Sequence, residues 1–481
     1  MSDRTKHIIT SVVIPVALAI ALIATAFWAN EQRALAETYR LGTENMFRRA
    51  FTELCADMNN MQAALGKLRV VTSPRQYTLL LDDIWRLSGS CVSLMSQIPS
   101  SHVDTAQLNG FVVRVGDYAH SLTKKSLSGE KLAEEDAKQI DSLYAKCAEL
   151  SAELNDRLEI GDVPVAAITN EEYFTASEQA NGDAQGGDAQ GGGAQGGDSQ
   201  GGNAPDAGGN QNGGDYQEQE GISEFPTLIY DGPFSESAEK RQPKGISGNE
   251  VTEEEARAAA EALTGVTGLE SQGESNGNIP AWEFHGAYAD GREADVSISK
   301  QGGRLVWFMG AATGAQNEVP DSATADTLKS AALDWLGRNG YANMQATYAQ
   351  YYSGAAVINF VATQDDVLLY NDLVKVWVDV STREIVGADA RNYLYSHVQT
   401  GRELESPALS PEEAEARVSV NMNIQSQKLA LIPLTPETER LCYEFKGTCG
   451  EEEYIVYIDA ETGDEQQVFV IVNTENGQLV I

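Results

Sequence analysis

Histidine and cysteine are the residue types best equipped for chemistry, and this chain of 481 residues carries five of each. A zinc hydrolase places two histidines four apart on one helix with a glutamate beside the first. His7, His102, His120, His285 and His397 are scattered instead, with no His-Glu-x-x-His and no pair at helical metal spacing. Cys55, Cys91, Cys147, Cys442 and Cys449 show no Cys-x-x-C and no zinc spacing. Cys442 and Cys449 flank residues 443–448, so they would either close a small bridge across a hairpin in an oxidising compartment or stay free as small hydrophobes. No Gly-x-Ser-x-Gly elbow presents a nucleophilic serine. Paired carboxylates can cleave glycosidic bonds, and Glu412 with Glu413, or Glu451 to Glu453, are of the right type. They read better as helix-start charges complementing a dipole and as a solvated turn. Asp379 and Asp459, each closing a strand, read as exposed turn formers. The sequence thus assigns no catalytic residue, no metal ligand and no cofactor site, and it points away from an enzyme.

The elements that hold these residues repeat. A first copy, over residues 246–310, opens on Thr252 and Glu255 at capping-box spacing, and strands follow at Ala281–His285, Ala294–Ile298 and Arg304–Phe308. A third copy begins at Ser410-Pro411-Glu412-Glu413, where a capping serine, a proline at the first helical position and a glutamate mark a helix start. Its strands are Leu441–Phe445, Tyr454–Asp459 and Gln467–Val472, with a turn at Glu461-Thr462-Gly463. The middle copy has a helix over Thr324–Asn339, strands Val357–Val361 and Val374–Val380, and a turn Ser381–Glu384 where copy three has Ala460–Gly463. Each copy should fold as a helix on a small antiparallel sheet with edges available to accept a partner strand.

Helix, a strand carrying Glu-Phe, a strand ending in Val/Ile-Asp, turn and strand is an order that resembles the PepSY module of peptidase propeptides and cell-envelope proteins. The segment leading into copy one, Phe225-Pro226-Thr227-Leu228-Ile229-Tyr230-Asp231-Gly232-Pro233-Phe234-Ser235, is similar to the signature of the germination protein YpeB family. The glycine-rich insert before Phe225 departs from that pattern. The resemblance implies a protein of endospore-forming bacteria at the outer face of the spore inner membrane, facing the cortex. Its implied partner is a cortex-lytic enzyme of SleB type, retained and restrained until cortex hydrolysis in germination. The PepSY pattern alone implies a different role, as inhibitor or folding aid of a secreted peptidase.

Composition narrows the partners. A formal net charge of -37 and a pI near 4.4 exclude nucleic acid, because a phosphate backbone is bound through cations. Residues 8–28 carry no charge, and about 21 residues at about 1.5 Å each match the roughly 30 Å hydrocarbon core. Arg4 and Lys6 before it and Trp28 at its end suggest a single-pass anchor with residues 1–7 cytoplasmic. A cleaved signal peptide ending at Ala24-Thr25-Ala26 is the competing reading. Over residues 31–170 apolar positions step by threes and fours, as in Phe47, Phe51, Leu54, Met58, Met61, Leu65 and Leu68, or Tyr77, Leu80, Ile84, Leu87, Cys91, Leu94 and Ile98. Such stripes, with two more at Leu108–Leu122 and Ile140–Leu154, predict a helical bundle, or a coiled-coil seam for self-association. The five-residue repeat of Gly-Asp-Ala-Gln-Gly type within residues 176–220 has nothing to bury and reads as a flexible linker.

The expected fold class is therefore α+β multidomain: a transmembrane helix, a helical bundle, the linker, and three PepSY-like modules at 225–310, 319–390 and 408–481. Phe225, Tyr230 and Phe234 are the candidate partner-binding residues, with Trp307 and Trp377 as further anchors or core residues.

Overall fold

The computed structural model describes residues 14–98, 105–128, 133–159, 242–314, 319–435, 438–474 and 477–481. Four helices come first: α1 (Ile14–Leu68), α2 (Pro74–Met95), α3 (Thr105–Leu127) and α4 (Glu134–Glu159). Helix α5 (Glu253–Thr264) precedes strands β1 (Thr267–Ser275), β2 (Ala281–Ala287), β3 (Glu293–Ser299) and β4 (Leu305–Gly310). Helix α6 (Ser322–Arg338) precedes β5 (Met344–Tyr352), β6 (Ala355–Gln364), β7 (Val367–Asp379) and β8 (Ile385–Asp389). After α7 (Arg391–Ser396) and α8 (Pro411–Glu415) come β9 (Asn423–Thr435), β10 (Thr438–Cys449), β11 (Glu452–Asp459), β12 (Glu465–Thr474) and β13 (Gly477–Val480). Two compact units result, one of Met1–Met58, Gly89–Val113 and Leu150–Leu228, the other of Asn59–Ser88, Arg114–Glu149 and Ile229–Ile481.

The transmembrane helix expected over residues 8–28 is corrected. Among the described residues no helix is long and apolar enough to cross a membrane. Residues 1–13 lie outside the described set, and α1 does not stop at Trp28 but runs on through the charged residues Glu31, Arg33, Glu37 and Arg40. The readings that required such a span fall with it: the cytoplasmic stub, the single-pass topology, the membrane as partner, the place at the spore inner membrane, and the anchored retention of a SleB-type enzyme.

In the first unit Phe51, Leu54, Cys55 and Met58 of α1 are buried, as are Cys91 and Leu94 of α2 and Leu108 and Phe111 of α3, and the Cys55 thiol donates to the Leu154 carbonyl at 3.7 Å. The helical stripes are thus as spaced in the sequence. In the second unit the α2 stripe drifts by one position, burying Leu81 in place of Leu80. All five cysteines are buried free thiols, so Cys442 and Cys449 form no bridge.

Thirteen strands of the second unit form one sheet in the order β1-β2-β3-β4-β8-β7-β6-β5-β13-β12-β11-β10-β9. Each module contributes a run of neighbours, and the runs join through β4 with β8 and β5 with β13. A further parallel pairing of Val367–Leu369 in β7 with Leu429–Leu431 in β9 closes eight strands, β5 to β7 and β9 to β13, into a ring. Strand β7 can serve β8 and β9 on one edge because it bulges at residues 370–372, where the β6 register jumps from Val361 with Leu373 to Ala362 with Leu369. The free edges expected of each module are therefore partly spent on the neighbouring module, by three residue pairs between β4 and β8, three between β7 and β9 and the single pair Gly477 with Gln350 between β13 and β5. Among the described residues β1 has a strand partner on one side alone, and it is blunted by two register shifts and by exposed Glu270 and Glu274.

One sheet face packs on α5 and α6 around Phe284, Phe308, Trp335, Phe360 and Val376. The capping boxes of Thr252 with Glu255 and Ser410 with Glu413 are formed. Inside the strand ring lies a second core of Leu368, Leu373, Ile432, Ile455, Tyr457 and Phe469. A third core covers β10 to β12 from the other side, and α8, only five residues long, reaches it with Ala414 alone.

Candidate partner-binding surface

The same turn recurs in all three modules. Ser299, Asp379 and Asp459 each donate their N–H to a carbonyl five residues on, that of Arg304, Glu384 and Asp464, at 2.8 Å. The fifth residue of each turn, Gly303, Arg383 or Gly463, has positive φ of 58°, 66° or 77°. Asp379 Oδ1 accepts the N–H groups of Ser381 and Thr382, and Asp459 Oδ1 those of Glu461 and Thr462. Both aspartates thus organise turns, but they are buried, at 0 % and 1 % exposure, and not exposed as the sequence suggested. The difference arises because each carboxylate also turns inward, Asp379 to the N–H and hydroxyl of Thr313, Asp459 to Gln466 and Arg440. For Asp379 burial works against the charge, and the hydrogen bonds from Thr313, Thr382 and Ser381 overcome it and hold the carboxyl below its usual range.

The glutamate of the Glu-Phe strand is equally structural. Glu444 is buried within the strand ring, and the hydroxyls of Tyr370 and Tyr457 both donate to its Oε2. Burial first, and Glu444 second, push both phenols well above the ordinary tyrosine range. The carboxylate therefore sits sealed among donors that do not release a proton, which is not an acid–base pair open to a substrate. Module two has Asn359 at this position and module one Glu283, which accepts from Ser297 at 2.9 Å.

A cleft of about 810 Å³ follows the connection between the second and third modules, with Leu404, Leu431, Arg440 and Leu441 on its walls and Arg402 at its base. Arg402 holds the two modules together. Its guanidinium donates to Asp372 Oδ2 and Oδ1 at 2.8 and 2.6 Å, to the Ser396 carbonyl at 2.9 Å and to Glu439 Oε2 at 3.1 Å. His397 Nδ1 lies 2.7 Å from Asp372, and Asn371 donates to Glu439 at 2.6 Å. Burial opposes the Arg402 charge, but Asp372 and Glu439 outweigh it and raise its pKa above the ordinary arginine value. A bidentate pair backed by further hydrogen bonds from the same guanidinium is the form in which a buried charge is tolerated.

The open face of the third module is closed by the loop between α1 and α2. Val70 is fully buried among Tyr443, Phe445, Tyr454 and Val468, with Ala63 and Val71 at the margin. The Thr72 N–H and hydroxyl donate to Glu465 Oε2 at 3.0 and 2.9 Å, and the Ser73 N–H to Oε1 at 3.3 Å. Arg69 bridges Asp141 at 2.8 Å and Glu452 at 3.0 Å and stacks on the Tyr144 ring at 4.6 Å. Asn421 donates to the Arg69 carbonyl, and Gln76 to that of Gln466. Neither Arg402 nor Glu465 stands out in the sequence, since no local motif announces a partner 30 or 393 residues away.

Phe225, Tyr230 and Phe234 lie outside the described residues. Trp307 and Trp377 are half-buried in β4 and β7, in register with Asp389 and Gly387 of β8, which places both on one face of the sheet with β8 between them. Among the described residues no group of three histidine, cysteine or acidic side chains is placed to hold a metal ion.

Residues 35–160 match the family model for the YpeB N-terminal region, 217–405 that for YpeB sporulation, PepSY1 and PepSY2 domains, and 408–477 that for the peptidase propeptide and YPEB domain. The chain belongs to the YpeB sporulation-protein family. Relatives include a sporulation protein YpeB from Halalkalibacterium halodurans, 25% identical over 94% of this chain and 95% of its own length. Another, from Bacillus subtilis, is 23% identical over 95% of this chain and 97% of its own length. Among solved structures, the Bacillus megaterium YpeB C-terminal domain is similar at a TM-score of 0.42 and 23% identity, covering 47% of this chain and all of that one. Members of the family are non-catalytic and regulatory or propeptide-like, and this chain is not an enzyme.

Proposed function

We propose that this protein regulates a peptidase, as an inhibitor or folding aid, through its PepSY modules. The observation that carries the reading is the match of residues 408–477 to the peptidase propeptide and YPEB domain, on a chain that belongs to a non-catalytic family. The sheet architecture is compatible with such a role, because a preformed surface binds without the ordering cost that a flexible partner incurs. The earlier expectation of an anchored holder of a SleB-type enzyme is not carried forward. Within this reading the modules at 225–310, 319–390 and 408–481 supply the surface, and Phe225, Tyr230 and Phe234 supply apolar contacts to the partner.

The test is capture of binding partners from the source cell on the full chain, followed by assay of the peptidases identified. An inhibitor lowers kcat/KM of the folded peptidase at equimolar amounts, and a folding aid raises the active yield on refolding. Alanine at Phe225, Tyr230 and Phe234 together is expected to weaken capture about tenfold, equivalent to about 1.4 kcal/mol. Capture of a peptidoglycan hydrolase with no peptidase, or of a peptidase whose activity and refolding are both unchanged, refutes the reading.

A further inference from the structure

We propose that the third module is a receptor for helix-capping loops, and that the α1–α2 loop is an exchangeable resident ligand replaced by a partner protein's loop of the same design. Three observations carry this. First, the other modules cover their sheets with helices of 12 and 17 residues, whereas α8 has five and leaves the face to be filled by Val70 from elsewhere in the chain. Second, much of the grip is on main-chain groups of the loop. Glu465 takes the N–H groups of Thr72 and Ser73 just ahead of α2, and Asn421 takes the Arg69 carbonyl just past α1. Such contacts specify a shape and a charge more than a sequence.

Third, the resident loop fits imperfectly. Tyr454 is fully buried, and its hydroxyl has no hydrogen-bond partner among the described residues; it faces Gly66, where an added Cβ would stand 3.1 Å from it. An unsatisfied buried hydroxyl costs about 1–3 kcal/mol, which a loop presenting an acceptor at this point would recover. The dock also sequesters a carboxylate, Glu465, that would be hydrated once the face opened. The partner that fits presents a β-branched apolar residue, then the free N–H groups of a helix start, with a cation alongside to meet Glu452 as Arg69 does. This contact stands or falls independently of whether the regulated protein is a peptidase.

Hydrogen exchange on the full chain tests it. The Thr72 and Ser73 amides are expected to exchange through an opening at least tenfold more frequent than that of the Tyr454–Ile458 amides. Equal rates with equal denaturant dependence would make the loop a permanent core element and overturn the proposal. In a second arm, a labelled peptide of residues 64–84 is titrated into the full chain carrying Val70→Asp, which empties the face. Binding at least tenfold tighter than to the unaltered chain is expected, and loss of that binding when the peptide itself carries Val70→Asp. Indifference of the peptide to either change overturns the proposal. Should Val70→Asp also abolish protection at Tyr454–Ile458, Thr72→Val, which replaces the hydroxyl by a methyl group, takes its place with the same expected direction.

Discussion

Single residues in this protein matter through where they are buried more than through what they could react with. Glu444, Asp372, Asp379 and Asp459 are carboxylates of catalytic type, yet each is buried and surrounded by donors, so the charge is committed to holding strands and modules in place. Lys67 is the contrasting case. Its ammonium sits 5.8 Å from the Phe469 ring centroid beside a groove with Leu79, Leu80 and Leu434, and burial lowers its pKa from 10.5 to about 8, only partly opposed by Asp83. Because the folded pKa is depressed, the unfolded chain binds the extra proton between about pH 8 and 10.5, and the contribution of this group to stability rises with pH across that window. Below pH 8 the folded protein carries the full penalty. Lys67→Met is therefore expected to raise the melting temperature at pH 7 and to lose that advantage by about pH 10.5, read by thermal melts of both chains across the range. An equal difference at both ends would mean that methionine acts by packing alone.

At the level of elements, the sequence reveals those whose own residues decide them. Capping boxes at Thr252 and Ser410 and the strands containing Phe284, Phe360, Phe445 and Val456 are all present. Strands β1, β5, β8, β9 and β13 were not foreseen, and the reason is physical. Most of them begin or end a module's run, and β1 reads Thr-Gly-Leu-Glu-Ser-Gln-Gly-Glu-Ser, with Leu269 its one buried apolar residue and no apolar alternation. The groove over Arg402 and the dock at Glu465 were illegible for a related reason, since each is assembled from segments far apart in the chain. The repeated turn is a case where comparison across modules predicts energetics. Gly303 and Gly463 hold the left-handed position that Arg383 fills in module two with φ 66°, a conformation that costs an L-residue about 1–2 kcal/mol. Arg383→Gly should stabilise by about 0.5–1 kcal/mol after glycine's entropy is charged against it. Gly463→Ala should destabilise by about 1 kcal/mol or more, since its Cβ would also stand 3.2 Å from Leu409. Urea denaturation at fixed pH checks both, and the same sign for the two would contradict the shared-turn account.

For the second unit as a whole, the consequence is that the PepSY-like modules are not beads on a string. Ring closure through β7 with β9 and β5 with β13 means that the second module buries Val361, Leu368, Tyr370 and Leu373 against residues of the third, and Arg402 seals their junction with Asp372 on one side and Glu439 on the other. Removing residues 408–481 would therefore do more than delete a binding surface. It would remove the pairing of β5 with β13 at Gln350, open the β7 edge at Val367–Leu369, expose the apolar lining of the ring, and strip Arg402 of its Glu439 contact. Unpaired strand edges bordered by apolar surface recruit further chains. The chain ending at residue 407 is expected to bind a hydrophobic dye, to elute as concentration-dependent oligomers, and to lose exchange protection in β5 and β7. Helix α5 and strands β2 and β3, whose strand pairing runs through β1 and β4 and whose core partner α6 remains in the shortened chain, should keep theirs. A truncated chain that stays monomeric, with β5 and β7 as protected as in the full protein, would show that the ring contributes nothing to the second module and that the modules fold as separate bodies.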